Sequence, residues 1–204
     1  MGGMTKTGAD YAWFEDEFPG IAEAYCFTLV RGLSPAGLVS RLEGRPAAPL
    51  QGIAAVVDAA FAQYDLEDRD RQLVAMTTLG TWTLLIEPNG YLGVTEERAL
   101  PASAGTTWVS HFVNVNAVGT FLWAEDQALR LCFDPMFPEG RRGTTPDELL
   151  DVMQRIGFHF DADDPKTDLS SPAAFALAEH LTGVAITPTL LQDTTFTCAT
   201  VQIR

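Results

Sequence analysis

The sequence predicts an α+β domain in which a mostly antiparallel sheet of about five to seven strands packs against several helices on one face. Three observations predict it. Short runs of strand-forming residues, broken by turn residues, follow one another from Gln72 to Pro135 and hold three of the four tryptophans, Trp82, Trp108 and Trp123. Elsewhere, apolar residues recur at helical spacing behind Ser-Pro and Thr-Pro pairs, which start helices. The chain has 204 residues, 47% hydrophobic and 20% charged, enough to bury one core without staples.

Met1 to Ala9 is small and polar and is expected to be disordered, with one domain from Asp10 to Arg204. Asp10 is placed to cap a short helix carrying Tyr11, Trp13, Phe14 and Phe18, stopped by Pro19-Gly20; the same aromatics would also suit a loose lid. Glu23 to Val30 reads as a strand with Tyr25, Phe27 and Leu29 on one face. Ser34 caps a helix whose first residue is Pro35, Leu33 and Leu38 staple its start, and Gly44 ends it. Arg45 to Pro49 reads as a loop, and Leu50, Ile53, Val57 and Phe61 as one face of a second helix. Asp65 to Arg71 is a charged connector.

Leu73 to Leu79 and Thr81 to Glu87 follow as strands, with Trp82, Leu84 and Ile86 sharing a face. Asn89-Gly90 is a tight-turn signal, and Thr95 to Leu100 a helical turn limited by Pro101. Thr106 to Asn114, Val118 to Ala124 and Ala128 to Phe133 complete a meander. Thr145 and Glu148 have the spacing of a capping box before Leu149, Leu150, Met153 and Ile156, and Gly157 ends that helix. Ser171-Pro172 opens a helix stopped by Gly183, Thr187-Pro188 repeats the device, and Thr195 to Ile203 is a final strand.

The net charge of −14 argues against the basic face that nucleic acid requires and against anionic membranes, but permits a basic protein partner. No basic segment leads into an apolar run at the N-terminus, and no stretch reaches the ~18 apolar residues that span a bilayer. Cys26, Cys132 and Cys198 are odd in number, widely spaced and set in apolar runs, which predicts buried thiols and a cytoplasmic setting rather than disulfides or a zinc site.

His111 lies in a strand with two apolar faces and reads as a core or edge histidine. His159 and Asp161 share a strand parity, but no serine or cysteine stands at a nucleophile elbow. Asp161, Asp163, Asp164 and Asp168 lack the glycine and distal glutamate of a calcium loop, so they read as a solvated segment. The most suggestive polar set is Asp134, Arg141 and Arg142, ending a strand and flanking a Gly-containing loop. Two arginines there would clamp a carboxylate or phosphate. The simpler reading is an internal Asp134–arginine pair that closes the loop. No cofactor and no metal are expected.

Several short stretches together resemble an uncharacterised, mainly actinobacterial domain family of unknown function. They are Tyr11-Ala-Trp13, Ala24-Tyr-Cys26, Thr28 to Gly32, Trp82 through Glu87-Pro-Asn-Gly90, Val113 to Asn116, Phe133-Asp-Pro135, and Arg142-Gly143 before Pro146-Asp147. The resemblance implies a bacterial cytoplasmic setting and no particular activity. The residues themselves lead to the expectation of a non-enzymatic binding or interaction protein, immunity-like or regulatory, that masks a partner through an acidic surface. The rival is a protein or enzyme that holds a small anionic ligand with Asp134, Arg141 and Arg142.

Overall fold

In the computed structural model, which describes residues 6–64, 70–160 and 169–203, the described segments are arranged around one antiparallel sheet. Its nine strands are β1 (Tyr25–Arg31), β2 (Arg45–Gln51), β3 (Arg71–Leu79), β4 (Trp82–Pro88), β5 (Thr107–Val113), β6 (Gly119–Glu125), β7 (Ala128–Asp134), β8 (Phe137–Arg142) and β9 (Thr195–Gln202). The order across the sheet is β2-β9-β3-β4-β1-β5-β6-β7-β8. Eight α-helices flank it among the described residues: α1 (Trp13–Glu17), α2 (Pro19–Ala22), α3 (Pro35–Arg41), α4 (Gly52–Tyr64), α5 (Glu96–Ala102), α6 (Leu150–Ile156), α7 (Ser170–Thr182) and α8 (Pro188–Asp193).

The expected α+β class and antiparallel sheet are what form, but the expected strand number is too low. The two strands beyond it, β2 and β8, are the two outermost. Each carries proline (Pro46, Pro49; Pro138) and is largely exposed. An edge strand has one hydrogen-bonded neighbour and tolerates proline on its free side, so the period-two signal is lost where pairing is weakest.

The expectation of helices on one face is also corrected, because both faces are covered. β1 explains why: Tyr25, Phe27 and Leu29 enter one core cluster and Val30 a second, with Cys26 and Thr28 buried beside Val30 on that second face. The larger cluster takes α1, α2, α4, α6, α7 and α8, centred on Phe14, Tyr25, Phe27 and Phe175. The smaller is closed by α3, α5 and a 3-10 turn at Leu92–Val94, around the fully buried Trp108.

Local signals are followed in part. Ser34 Oγ accepts from Gly37 N–H at 3.2 Å, and Thr187 Oγ1 from Leu190 N–H at 3.1 Å, so both Pro-preceding caps form. Gly157 (φ 117°) and Gly183 (φ 72°) end α6 and α7 in the left-handed region. Ser171, by contrast, lies inside α7, whose N-cap is Leu169. Residues 146–149 form turns rather than a helix, and α6 begins only at Leu150. Within the stretch expected to be disordered, Gly8 is buried and starts a 3-10 turn ending at Tyr11, while residues 1–5 lie outside those described.

Candidate functional site

Asp134, Arg141 and Arg142 are near one another along the chain, but the structure sends them to different partners. Asp134 caps the tight β7–β8 turn by accepting from Met136 N–H at 2.9 Å. Arg141 and Arg142 are consecutive residues of β8, so they project to opposite faces. Arg141 forms a forked pair with Asp147, at 2.6 and 2.8 Å, and lies over the Phe160 ring on the larger-core side. Arg142 pairs with Glu96 of α5, on the other side. The internal ion pairs that close this region therefore use Asp147 and Glu96, and Asp134 serves the turn.

Arg130, which sequence reading passed over, is the hub of the neighbouring polar network. It reaches Glu125 and Glu148 at 2.8 Å each, donates to Thr145 Oγ1 at 3.1 Å and stacks over Trp123. Bonds from Thr145 and Arg130 hold the Glu148 carboxyl below its ordinary range. The Thr145–Glu148 spacing thus marks a real contact, used to anchor an arginine.

Two buried sites hold the polar groups deepest in the molecule. On the smaller-core face, Glu87 is fully buried and accepts from Leu92 N–H and Gly93 N–H at 2.9 Å each, and from Gln72. Consecutive N–H groups aimed at one carboxylate form an anion-binding nest. Trp108 Nε1 donates to Gly93 O at 2.9 Å, so the turn is pinned to the sheet through both the N–H and the C=O of one residue, Gly93. Beside it, the Thr28 and Ser110 hydroxyls pair at 2.8 Å. Burial raises the Glu87 carboxyl above its ordinary range against the pull of those N–H groups, and burial with the nearby Glu87 charge pushes the Cys26 thiol up. A Cβ on Gly93 would overlap Thr28 Oγ1 and come within 2.7 Å of Cys26 Sγ, so the cluster is filled and serves as a structural lock.

On the larger-core face, His111 is buried between Tyr25 and Phe175, with ring centroids 5.2 and 4.9 Å away, and neither ring nitrogen has a hydrogen-bond partner among the described residues. Desolvation lowers its pKa to about 3, so it is a neutral core imidazole. All three cysteines are buried and free. His159 and His180 are exposed, and Asp161, Asp163, Asp164 and Asp168 lie outside the described residues.

A further concentration of exposed carboxylates lies where the short helices α1 and α2 adjoin and α2 packs against α4. The sequence Trp13-Phe-Glu-Asp-Glu-Phe18 buries Phe14 and Phe18 and leaves Glu15, Asp16 and Glu17 exposed. Two clefts adjoin here and share Pro19. One, of about 260 Å³, has Phe18, Ile21, Ile53, Ala54 and Val57 beneath and Glu17 and Asp58 at its rim. The other, of about 590 Å³, runs past Glu15, Glu23, Asn114, Val115 and Ser171. No basic side chain among the described residues pairs with Glu15, Asp16, Glu17, Glu23 or Asp58, whereas Arg130, Arg141 and Arg142 are engaged by carboxylates elsewhere. The sequence signal was the Glu-Asp-Glu run between buried aromatics.

Among the described residues no helix is long and apolar enough to cross a membrane. A family model matches residues 4–204, and the chain belongs to that family, the family of unknown function DUF6461. No curated protein and no solved structure matches the chain.

Proposed function

We propose that this member of the family is a non-enzymatic interaction protein, of an immunity-like or regulatory kind, that docks a basic partner on the acidic end formed by α1, α2 and the start of α4. One observation carries the reading: exposed carboxylates of a single sign, with no basic partner among the described residues, border two adjoining clefts. Such a surface steers an oppositely charged protein and is screened beyond ~8 Å at physiological ionic strength. The rival, an anion held by Asp134, Arg141 and Arg142, has less support, because the two guanidinium groups face apart and are already paired. Affinity capture from an extract of the source cells tests the proposal. The wild type and the control E139K are expected to retain a basic protein that rising salt releases. The charge-reversed variant E15K/E17K/E23K/D58K is expected to lose it, and R141A/R142A to keep it. Retention by the charge-reversed variant, or loss only in R141A/R142A, would overturn the reading in favour of the arginine site.

A further inference from the structure

We infer that the cleft between α2 and α4 seats one large apolar side chain from a basic segment of the partner protein. The inference rests on the acidic-surface reading and assigns it a contact point. The floor of this cleft is preformed: Phe18, Ile21, Ile53 and Val57 also belong to the main core, so their positions are set by folding and not by a ligand. At about 260 Å³ the cleft is smaller than the roughly 300–1,000 Å³ of small-molecule sites and suits a single anchoring side chain. Apolar anchors in preformed pockets are where protein interfaces concentrate their binding energy.

The rim selects the occupant by charge. Glu17 and Asp58 stand at the mouth with no basic partner among the described residues. Across Pro19 the second cleft continues with Glu15 and Glu23. A segment lying over Pro19 therefore meets carboxylates on both sides of the anchor. Lys or Arg on both sides of one Leu, Phe or Trp satisfies that pattern, and an acidic or uncharged segment does not. Phe61, 52% exposed and one helical turn beyond Val57 on α4, extends the apolar strip past Asp58.

Gly20 offers a clean way to obstruct the cleft. It lines the pocket, and a Cβ there would meet no heavy atom within 4 Å, so Gly20→Leu adds bulk at the cleft wall without displacing the core. The probe is a synthetic peptide with a central Leu-Trp flanked by Lys and Arg. Its controls carry Gly-Gly at the centre, or Gln in place of the basic residues. NMR titration is expected to perturb Ile21, Ile53 and Val57. Both controls should bind more weakly by more than about tenfold, as should the parent peptide to Gly20→Leu, which should melt like the wild type. E17Q/D58N should weaken binding and flatten its salt dependence. Equal affinity of the Gly-Gly control at the same face, or unchanged binding by Gly20→Leu, would overturn the cleft inference and leave the acidic surface standing. Failure of both basic peptides, the parent and the Gly-Gly control, to bind with any salt dependence would overturn both readings. Self-association abolished by Gly20→Leu would assign the cleft to a second copy and overturn the partner proposed.

Discussion

Ser110 and His111 are neighbours on β5 and point into opposite cores, and their surroundings differ in kind. Ser110 joins a network in which Thr28, Gln72 and two backbone N–H groups supply partners, down to a fully buried carboxylate. His111 packs against the rings of Tyr25 and Phe175, and both its nitrogens go without a bond among the described residues. The difference follows from what each group can do when water is removed. A histidine sheds its charge by giving up a proton at modest cost, whereas a carboxylate must either take up a proton or find donors. The smaller face is therefore built around its acid, with glycine at 90 and 93 because a Cβ at either would strike the network. The larger face is built around aromatic volume and absorbs its histidine as one more ring.

The sharpest way to break this comparison is to remove the acid. Glu87→Leu leaves Leu92 N–H, Gly93 N–H and the Gln72 amide buried without an acceptor, and should cost on the order of 3–5 kcal/mol in urea denaturation. Gly93→Ala, which forces a methyl into Thr28 and Cys26, should be destabilising on a similar scale by overpacking. A loss under about 1 kcal/mol for both would mean that the turn at Leu92–Val94 is not held by the carboxylate.

The inner sheet was legible in the sequence because its strands are bounded by turns and carry strand formers. The seven inner strands were read nearly to their ends. β2 and β8 were not, since an edge strand with proline, glycine and charge looks like a loop. That omission bears on the candidate site. Arg141 and Arg142 in a loop can converge on one anion, but in a strand they must diverge, and they do. Glu87 escaped notice because an acid at a strand end before Pro-Asn-Gly has the signature of a solvated turn. Only the return of Leu92–Val94 over the sheet, a tertiary event, buries it. His111 was read as a core or edge histidine from apolar residues on both sides of its strand, and it is buried in the core.

The second test sharpens the contrast through pH. His111 has a folded pKa of about 3 against an ordinary 6.5, so below pH 6.5 the unfolded chain binds the proton that the native state refuses. This group therefore contributes full stability above pH 6.5 and loses it as pH falls towards 3, at up to about 1.4 kcal/mol per unit. Glu87 acts with the opposite sign. Its folded pKa is raised above 4.5, so the native state binds the proton more tightly, and its contribution falls as pH rises from 4.5 through that raised value. His111→Phe should match or slightly exceed the wild type at pH 7 and be more stable by about 3 kcal/mol at pH 4. Parallel stability curves for the two proteins between pH 7 and pH 4 would remove His111 from the account.

The smallest effect asks whether the polar face is satisfied pair by pair. Thr28 and Ser110 face each other across β1 and β5, fully buried, with hydroxyl oxygens 2.8 Å apart. Ser110→Ala removes one hydroxyl and leaves the other with only the long contact to Cys26 Sγ at 3.7 Å, so it should cost about 1 kcal/mol. Thr28→Val should cost a similar amount for the same reason. The double variant removes both polar groups and keeps most of the volume, and should cost clearly less than the sum of the two. A positive coupling of about 0.5–1 kcal/mol in a double-mutant cycle is the expected reading. Strict additivity would mean that neither hydroxyl depends on the other. The smaller core would then tolerate isolated polar groups as the larger one tolerates His111, and the distinction between the faces would shrink to the carboxylate alone.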